Sequence, residues 1–153
     1  MIIEEKFVVN VPVDRVWGFL LDAESLASCV PGCEHVEPAG ENSYMAHMKA
    51  RIGPISANFK IRIDISEMDP PSYLKSTMRG EDSMMASNLN ASNVIDLRSL
   101  EPGKTEICYR SEVTVLGRLG KFGEGIMKRK ARDVGEEFAR SVKERLERAP
   151  SGS

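Results

Sequence analysis

The sequence predicts one α+β domain, in which a curved antiparallel sheet of six to seven strands grips a single long C-terminal helix. Two patterns predict this class. Apolar residues alternate at every second position from about residue 34 to residue 116, and they recur with a period of 3.6 residues after Gly117. The chain has 153 residues, the size of one ordinary domain. We therefore expect a single domain over residues 1–148 and a short disordered tail over residues 149–153.

Composition and charge exclude several classes of protein. Hydrophobic residues make up 41% of the chain and charged residues 29%, which are values typical of globular proteins. The net charge of -2 does not supply the positive surface that nucleic acid requires, so we expect no nucleic-acid partner. No apolar run approaches the roughly 20 residues that cross a bilayer, and the acidic start at Glu4 and Glu5 is unlike a signal peptide. These features predict a cytoplasmic protein.

The beginning of the chain predicts one strand and two short helices. Residues 3–9 alternate as a strand. Pro12 suits the first turn of a helix, and a second helix over residues 23–29 should end before Pro31, because proline cannot continue a helix. The apolar stripe of the first helix, which should face the sheet, consists of Val13, Val16, Trp17, Leu20 and Leu21.

The middle of the chain predicts an antiparallel meander. Residues 55–65 alternate most clearly, and residues 44–52 repeat the pattern before a turn at Gly53-Pro54. Further turns at 69–72, 80–83 and 101–104 bound strands near 73–79, 85–99 and 104–116. Beyond Gly117 the period predicts a helix of about 25 residues, long enough to lie across the whole sheet.

Several segments resemble a known family. The order of elements and the sequence FVVNVPVDRVW at residues 7–17 resemble the START-like (SRPBCC, Bet v 1-type) superfamily, whose fold is the helix grip. Further segments are similar to the carbon monoxide dehydrogenase CoxG family over roughly residues 1–147. They are LLD at 20–22, LASCVPGCE at 26–34, the Gly53-Pro54 hairpin and GRLGKFG at 117–123.

The resemblance implies an accessory protein of molybdenum hydroxylase systems with a hydrophobic cavity. The implied partners are a hydrophobic small molecule (a quinone, an isoprenoid or a fatty acyl chain), a molybdenum hydroxylase complex, and the inner face of a membrane through peripheral contact. Some members of the family continue into a hydrophobic C-terminal segment. Residues 147–153 of this chain read ERAPSGS, so we expect no membrane attachment through a tail of that kind.

A glycine-rich segment at residues 117–125 lies where a phosphate-binding loop would lie. Its spacing differs from the dinucleotide and P-loop patterns, since Lys121 is followed by Phe122, and the predicted sheet is antiparallel. We favour a mechanical role for this segment. Glycines at 120, 123 and 125 each cost a helix roughly 1 kcal/mol relative to alanine, which predicts a loose helix start that opens as a gate to the cavity.

The sequence leaves two interpretations of the interior open. Eight methionines suit an adaptable apolar pocket, but they also suit a plain core. The small and polar residues at 87–93 fill little space, which indicates either a cavity or a strand exposed on both faces.

Catalytic and metal-binding constellations are not apparent. His35 and His47 are the only histidines, and neither falls on a predicted inward face beside a nucleophile. Cys29, Cys33 and His35 lack a fourth metal ligand. We therefore expect a protein that is not an enzyme, with no cofactor and with reduced cysteines at 29, 33 and 108. A small enzyme would need an ionisable group in the cavity, and the inward-facing positions offer only Tyr44 and Tyr109.

Two groups of candidate site residues follow from strand alternation, helical phase and local charge. The alternative to a ligand site is an interaction module with a filled core, and the alternative to a docking site is a solvated helix face. Candidate ligand-binding residues are Tyr44, Met48, Phe59, Ile61, Met78, Phe122, Ile126 and Met127, whereas Trp17 and Phe138 are expected in the packed core. Candidates for docking to anionic lipid or to an acidic partner are Lys128, Arg129, Lys130 and Arg132.

Overall fold

The computed structural model describes residues 1–122 and 124–148; the predicted tail at 149–153 lies outside the described residues. The elements confirm the α+β class, with seven strands, two short helices after the first strand and a long helix at the end. In chain order they are β1 (Ile2–Val9), α1 (Val13–Leu21), α2 (Ala23–Ala27), β2 (Cys33–Gly40), β3 (Ser43–Ile52), β4 (Ile55–Asp69), β5 (Tyr73–Asp82), β6 (Ser87–Glu101), β7 (Lys104–Gly117), a 3-10 helix (Leu119–Phe122) and α3 (Glu124–Arg148).

The seven strands form one antiparallel sheet in the order β1-β7-β6-β5-β4-β3-β2. Consecutive hairpins join β2 to β7, and β1 pairs with β7 at the edge, so that α1 and α2 cross from one edge of the sheet to the other. Register shifts interrupt the pairing, for example between Ile65 and Glu67, and such bulges bend a strand. The sheet therefore curves around the side on which the helices pack.

Two predicted boundaries are wrong. Pro12 does not lie in the first helical turn but caps it, with its carbonyl accepting the first helical hydrogen bonds. The turn predicted at 80–83 begins later, because β5 continues to Asp82. The buried Asp82 carboxylate accepts hydrogen bonds from the backbone N–H groups of Met84 and Met85, so it closes the turn at 83–86.

Gly32 fixes the start of β2 against β3. Its φ of +84° lies in the left-handed region, and its carbonyl accepts a hydrogen bond from the N–H of Lys49. A Cβ at this position would lie 2.0 Å from the Lys49 carbonyl oxygen, so a side chain has no room. This contact gives a physical reason for the glycine in the sequence VPGCE.

The buried apolar residues form two separate clusters, one at each end of the concave side of the sheet. The larger is called the base cluster and the smaller the tip cluster. The base cluster consists of Val9, Val11, Val16, Trp17, Leu20, Cys29, Leu74, Ile95, Leu97, Ile107, Phe138, Val142 and Leu146. The tip cluster consists of Ile52, Ala57, Phe59, Ile61, Leu119 and Met127.

Polar contacts hold the C-terminal half of α3 on the base cluster. Lys143 donates hydrogen bonds to the Val8 carbonyl at 2.7 Å and to the Glu147 carboxylate at 2.9 Å, and the N–H of Asn10 donates to the same Glu147 oxygen at 2.9 Å. Arg15 donates to the Leu146 carbonyl at 2.9 Å. Farther toward the N-terminus, α3 approaches β1 at Gly135, where a Cβ would lie 2.6 Å from Ile3 Cγ2.

Replacing Glu147 by glutamine is expected to destabilise the protein near neutral pH by about 1 kcal/mol, a value reduced for solvent screening. The hydrogen bond from Asn10, followed by that from Lys143, lowers the pKa of Glu147. A lowered folded-state pKa stabilises the protein above the unfolded pKa, and this stabilisation is lost as the pH falls through the folded value.

Urea unfolding of wild type and Glu147→Gln between pH 7 and pH 3 tests this expectation. The difference in unfolding free energy should shrink below a pH of about 4.5. Glu144→Gln is the matched control, since Glu144 only faces Arg148 at 3.9 Å on the exposed side of the same helix. Equal effects of the two substitutions would contradict the role assigned to Glu147.

Candidate ligand cavity

An apolar cavity of about 310 Å³ lies between the two clusters. Its walls are the concave face of the sheet, α2 with the end of α1, and the first half of α3. Several inward-facing residues on these walls, such as Val36, Ile63, Ile65 and Val134, are only half-buried although their faces of the elements point to the interior. No side chain covers them, which shows that the space is not filled by the core.

Six of the eight predicted ligand-binding residues lie on the cavity wall. They are Tyr44, Met48, Phe59, Ile61, Met78 and Met127. Their binding of a ligand stays a prediction.

The inward placement predicted for Phe122 and Ile126 is wrong. Phe122 packs against the outer part of the tip cluster, and Ile126 is 39% exposed. The prediction counted one continuous helix from residue 119, but a 3-10 helix precedes α3, so the helical phase of Phe122 does not carry over to Ile126. The cavity-facing stripe of α3 instead runs through Met127, Lys130, Ala131, Val134, Gly135 and Phe138.

The two open interpretations of residues 87–93 resolve in favour of a cavity. Leu89, Ala91 and Asn93 line it, whereas Asn88, Asn90 and Ser92 between them are exposed, so β6 exposes one face only. Trp17 lies in the base cluster as expected. Phe138 belongs to the base cluster and also forms part of the cavity wall.

A polar row crosses the otherwise apolar wall. Asn93 on β6 lies directly opposite Ser76 on β5 and Ser111 on β7. The Asn93 Oδ1 accepts hydrogen bonds from Ser111 Oγ at 2.7 Å and from Tyr109 Oη at 3.3 Å, and Asn93 Nδ2 donates to Ser76 Oγ at 3.4 Å. Asn93 is 5% exposed and Ser111 1% exposed. Sequence reasoning missed this row except for Tyr109.

Tyr109 connects the polar row to the helix. Its ring packs against Phe138 of α3, with ring centroids 5.3 Å apart. Burial raises the pKa of Tyr109, so its phenol stays protonated near neutral pH. The cavity therefore presents a neutral hydroxyl at this point.

The four predicted docking cations do not share one face of α3. Lys130 is half-buried and lines the cavity, whereas Arg129 is exposed. Lys128 and Arg132 border a groove between α3 and β1, where Glu4, Glu5 and Glu136 also lie. Successive residues of a helix lie about 100° apart, so a run of cations spreads around the axis. Docking through these residues stays a prediction.

The glycine-rich segment begins on a fixed anchor. Leu119 is fully buried in the tip cluster, and its N–H donates a hydrogen bond to Ser87 Oγ at 2.9 Å. Gly123, one of the three glycines on which the gate prediction rests, lies outside the described residues. A gate at this segment stays a prediction, to be tested by comparing amide exchange across residues 117–127 with the middle of α3.

The three cysteines are free thiols, and only Cys33 lies on the cavity wall. Burial raises the pKa of Cys33, which lowers its reactivity as a thiolate. Within residues 1–122 and 124–148, no histidine, cysteine and acidic side chains come together in a group of three that could hold a metal ion. None of the helices in that part of the chain has the length and apolar character to cross a membrane.

Solved structures share this fold. A conserved protein from Geobacillus kaustophilus is 24% identical, with a TM-score of 0.84 over 94% of this chain and 93% of that one. The Zhui aromatase/cyclase from Streptomyces sp. R1128 is 16% identical, with a TM-score of 0.74 over 97% and 94% of the two chains. A START superfamily protein from Mycobacterium smegmatis is 11% identical, with a TM-score of 0.73 over 96% and 97%. The fold is therefore START-like, as the sequence predicts.

A comparison with curated proteins found no match. The family comparison is specific, because the matched region, residues 6–147, includes most of the first strand, the cavity walls and nearly all of α3. It also includes Gly32 and the whole polar row. The chain therefore belongs to the CoxG family, which is named after the G component of carbon monoxide dehydrogenase.

Proposed function

We propose that this protein carries a hydrophobic small molecule, namely a quinone, an isoprenoid or a fatty acyl chain, in the cavity between its sheet and α3. The observation that carries the proposal is the volume of about 310 Å³ between the base and tip clusters, with an almost wholly apolar wall. This volume is within the range of small-molecule sites, and the few polar groups on the wall are of the kind that orient a ligand.

A carrier without catalytic activity fits the chemistry of the wall. None of the described residues that line the cavity is a histidine, an aspartate or a glutamate. The wall thus lacks the usual general acids and bases, and the buried Tyr109 holds its proton near neutral pH. These features favour a carrier over a small enzyme of the same superfamily.

A carrier of this kind must load its ligand from a membrane, and one end of the molecule suits that contact. Met84 is 86% exposed and Leu116 54% exposed, with the cations Arg118 and Lys121 exposed nearby. They lie together because Gly117 pairs with Ser87. We call Met84, Leu116, Arg118 and Lys121 the tip surface; it adjoins the tip cluster at one end of the cavity.

The family supplies the destination in this proposal. As a CoxG family member, the protein would exchange its ligand between the inner face of the membrane and a molybdenum hydroxylase complex in the cytoplasm. Apolar side chains surrounded by cations suit an anionic lipid surface, since each cation near the headgroups contributes about 1 kcal/mol.

Ligand transfer between vesicles tests the carrier proposal. Donor vesicles containing phosphatidylglycerol carry a fluorescent isoprenoid and a quencher, and transfer to unlabelled acceptors relieves the quenching. The transfer rate should rise with wild-type protein, and Leu116→Glu should lower it several-fold, because the new carboxylate meets an anionic surface. Leu100→Glu is the matched control, since Leu100 is 42% exposed at the opposite end of β6.

Each result of the transfer assay has a distinct meaning. Absence of transfer with the wild type would overturn the carrier proposal. Transfer that falls with Lys128→Glu and Arg129→Glu but not with Leu116→Glu would move the membrane contact from the tip surface to α3.

A further inference from the structure

We propose that the polar row of Ser76, Asn93 and Ser111, together with Tyr109, binds the neutral oxygen of a carbonyl or hydroxyl head group on the carried molecule. This inference rests on the proposed function and deepens it, because it assigns the ligand a chemical class and an orientation. The bound molecule is a long apolar chain with one uncharged polar end.

The first step of the argument is the position of the polar groups in an apolar wall. The row lies at the middle of five strands, between Ile3 on β1 and Ile65 on β4. The neighbouring inward row on the tip side contains only apolar residues, namely Ile63, Met78, Ala91 and Val113. Burying polar side chains in such a wall costs free energy that packing alone does not require.

The second step is the hydrogen-bonding capacity that the row retains. Every buried side-chain nitrogen and oxygen of the described residues has a partner, so the row does not need a ligand in order to be satisfied. The amide of Asn93 has a second N–H, and the hydroxyl oxygens of Ser111 and Tyr109 have lone pairs left after donating to Asn93. The row can therefore donate to a carbonyl oxygen and can both donate to and accept from a hydroxyl.

The third step is the absence of charge at the row. All four side chains are neutral near neutral pH, and the only charged residue among the described residues on the cavity wall is Lys130, on α3. A carboxylate or phosphate buried at the row would lack a counter-ion there, which is costly in an apolar site. The row thus favours an uncharged head group.

The row also sets the direction of the ligand. Asn93 lies four residues along β6 from Leu89, which is about 13 Å in a strand, and Leu89 packs against the tip cluster. A head group at Asn93 leaves the apolar chain pointing toward the tip cluster and the tip surface. The ligand would enter with its polar end first and would leave its tail near the membrane.

Competition binding with matched ligands tests the assignment. Purified protein is loaded with the neutral fluorophore N-phenyl-1-naphthylamine, which is then displaced by methyl decyl ketone, dodecyl alcohol, dodecene or dodecanoate. Wild type should bind the ketone and the alcohol more tightly than the hydrocarbon by roughly five- to tenfold, which corresponds to one hydrogen bond. Asn93→Leu and the milder Ser111→Ala should remove most of that preference, whereas Ser92→Ala, on the exposed face of the same strand, should keep it.

The outcomes separate this inference from the proposed function. Failure of every probe to bind wild-type protein counts against the cavity as a ligand site. Binding of all probes with the same preference in wild type, Asn93→Leu and Ser111→Ala overturns the inference and leaves the carrier intact. Tightest binding of dodecanoate, lost in Lys130→Met and retained in Asn93→Leu, would also overturn it, because the head group would then pair with Lys130.

Discussion

Replacing Ala91 by phenylalanine is expected to weaken ligand binding by at least tenfold, or about 1.4 kcal/mol, while the protein stays folded. Ala91 is 7% exposed and lies in the apolar row beside Asn93, with Met78 and Val113 opposite it on the neighbouring strands. The added ring would occupy the space that the proposal assigns to the ligand. Because the space is empty of side chains, we expect the unfolding free energy to change by about 1 kcal/mol or less.

The displacement assay and urea unfolding together check this prediction. Ser92→Phe is the matched control, since it adds the same ring to the exposed face of β6 and should leave ligand binding unchanged. Undiminished ligand binding by Ala91→Phe would show that the ligand lies elsewhere. A loss of several kcal/mol in stability would show that no free volume surrounds Ala91.

The second large effect is expected for Gly32→Ala, which should lower the unfolding free energy by at least about 2 kcal/mol. A left-handed backbone costs an L-residue roughly 1–2 kcal/mol, and displacing the Lys49 carbonyl oxygen from 2.0 Å adds a packing cost. The pairing of β2 with β3 at the edge of the sheet would loosen. Cys33 and Val36 on β2 line the cavity, so ligand affinity should fall as well.

Gly53→Ala separates the two contributions to that loss. Gly53 has a φ of +59°, but a Cβ there would meet nothing within 4 Å. It should cost only the backbone component, roughly 1 kcal/mol. Equal destabilisation of the two variants in thermal or urea unfolding would mean that the contact with Lys49 contributes nothing.

The sequence predicts the strands well because each strand buries one face only. Inward-facing Phe59 and Ile61 alternate with exposed Lys60 and Arg62, and this arrangement is legible without any partner strand. The same alternation places Tyr44, Met48 and Met78 on the wall of the cavity. Strand residues could therefore be assigned to the wall one strand at a time.

The helix residues were harder to place, since their phase depends on where the helix starts. The 3-10 helix at Leu119–Phe122 interrupts the period, so residues counted across it, such as Ile126, fall on the wrong face. The docking cations show the same limit. A run of charges suggests a patch, but Lys130 turns toward the cavity while Arg129 is exposed.

The polar row illustrates information that was present in the sequence but was not recognised. Ser76, Asn93 and Ser111 each occupy an inward position between apolar inward neighbours, for example Ala91 and Ile95 on either side of Asn93. A search for ionisable groups passes over these neutral residues. Their alignment into one row follows only from the strand register, which a single sequence does not specify.

Native mass spectrometry of the intact protein tests the central claim, that the space between the base and tip clusters holds an apolar molecule. The claim predicts that wild-type protein, as purified or after incubation with a long-chain quinone or isoprenoid, gains the mass of one such molecule per chain. Ala91→Phe should gain none under the same conditions. A wild-type mass that stays equal to that of the chain alone under all of these conditions would contradict the claim.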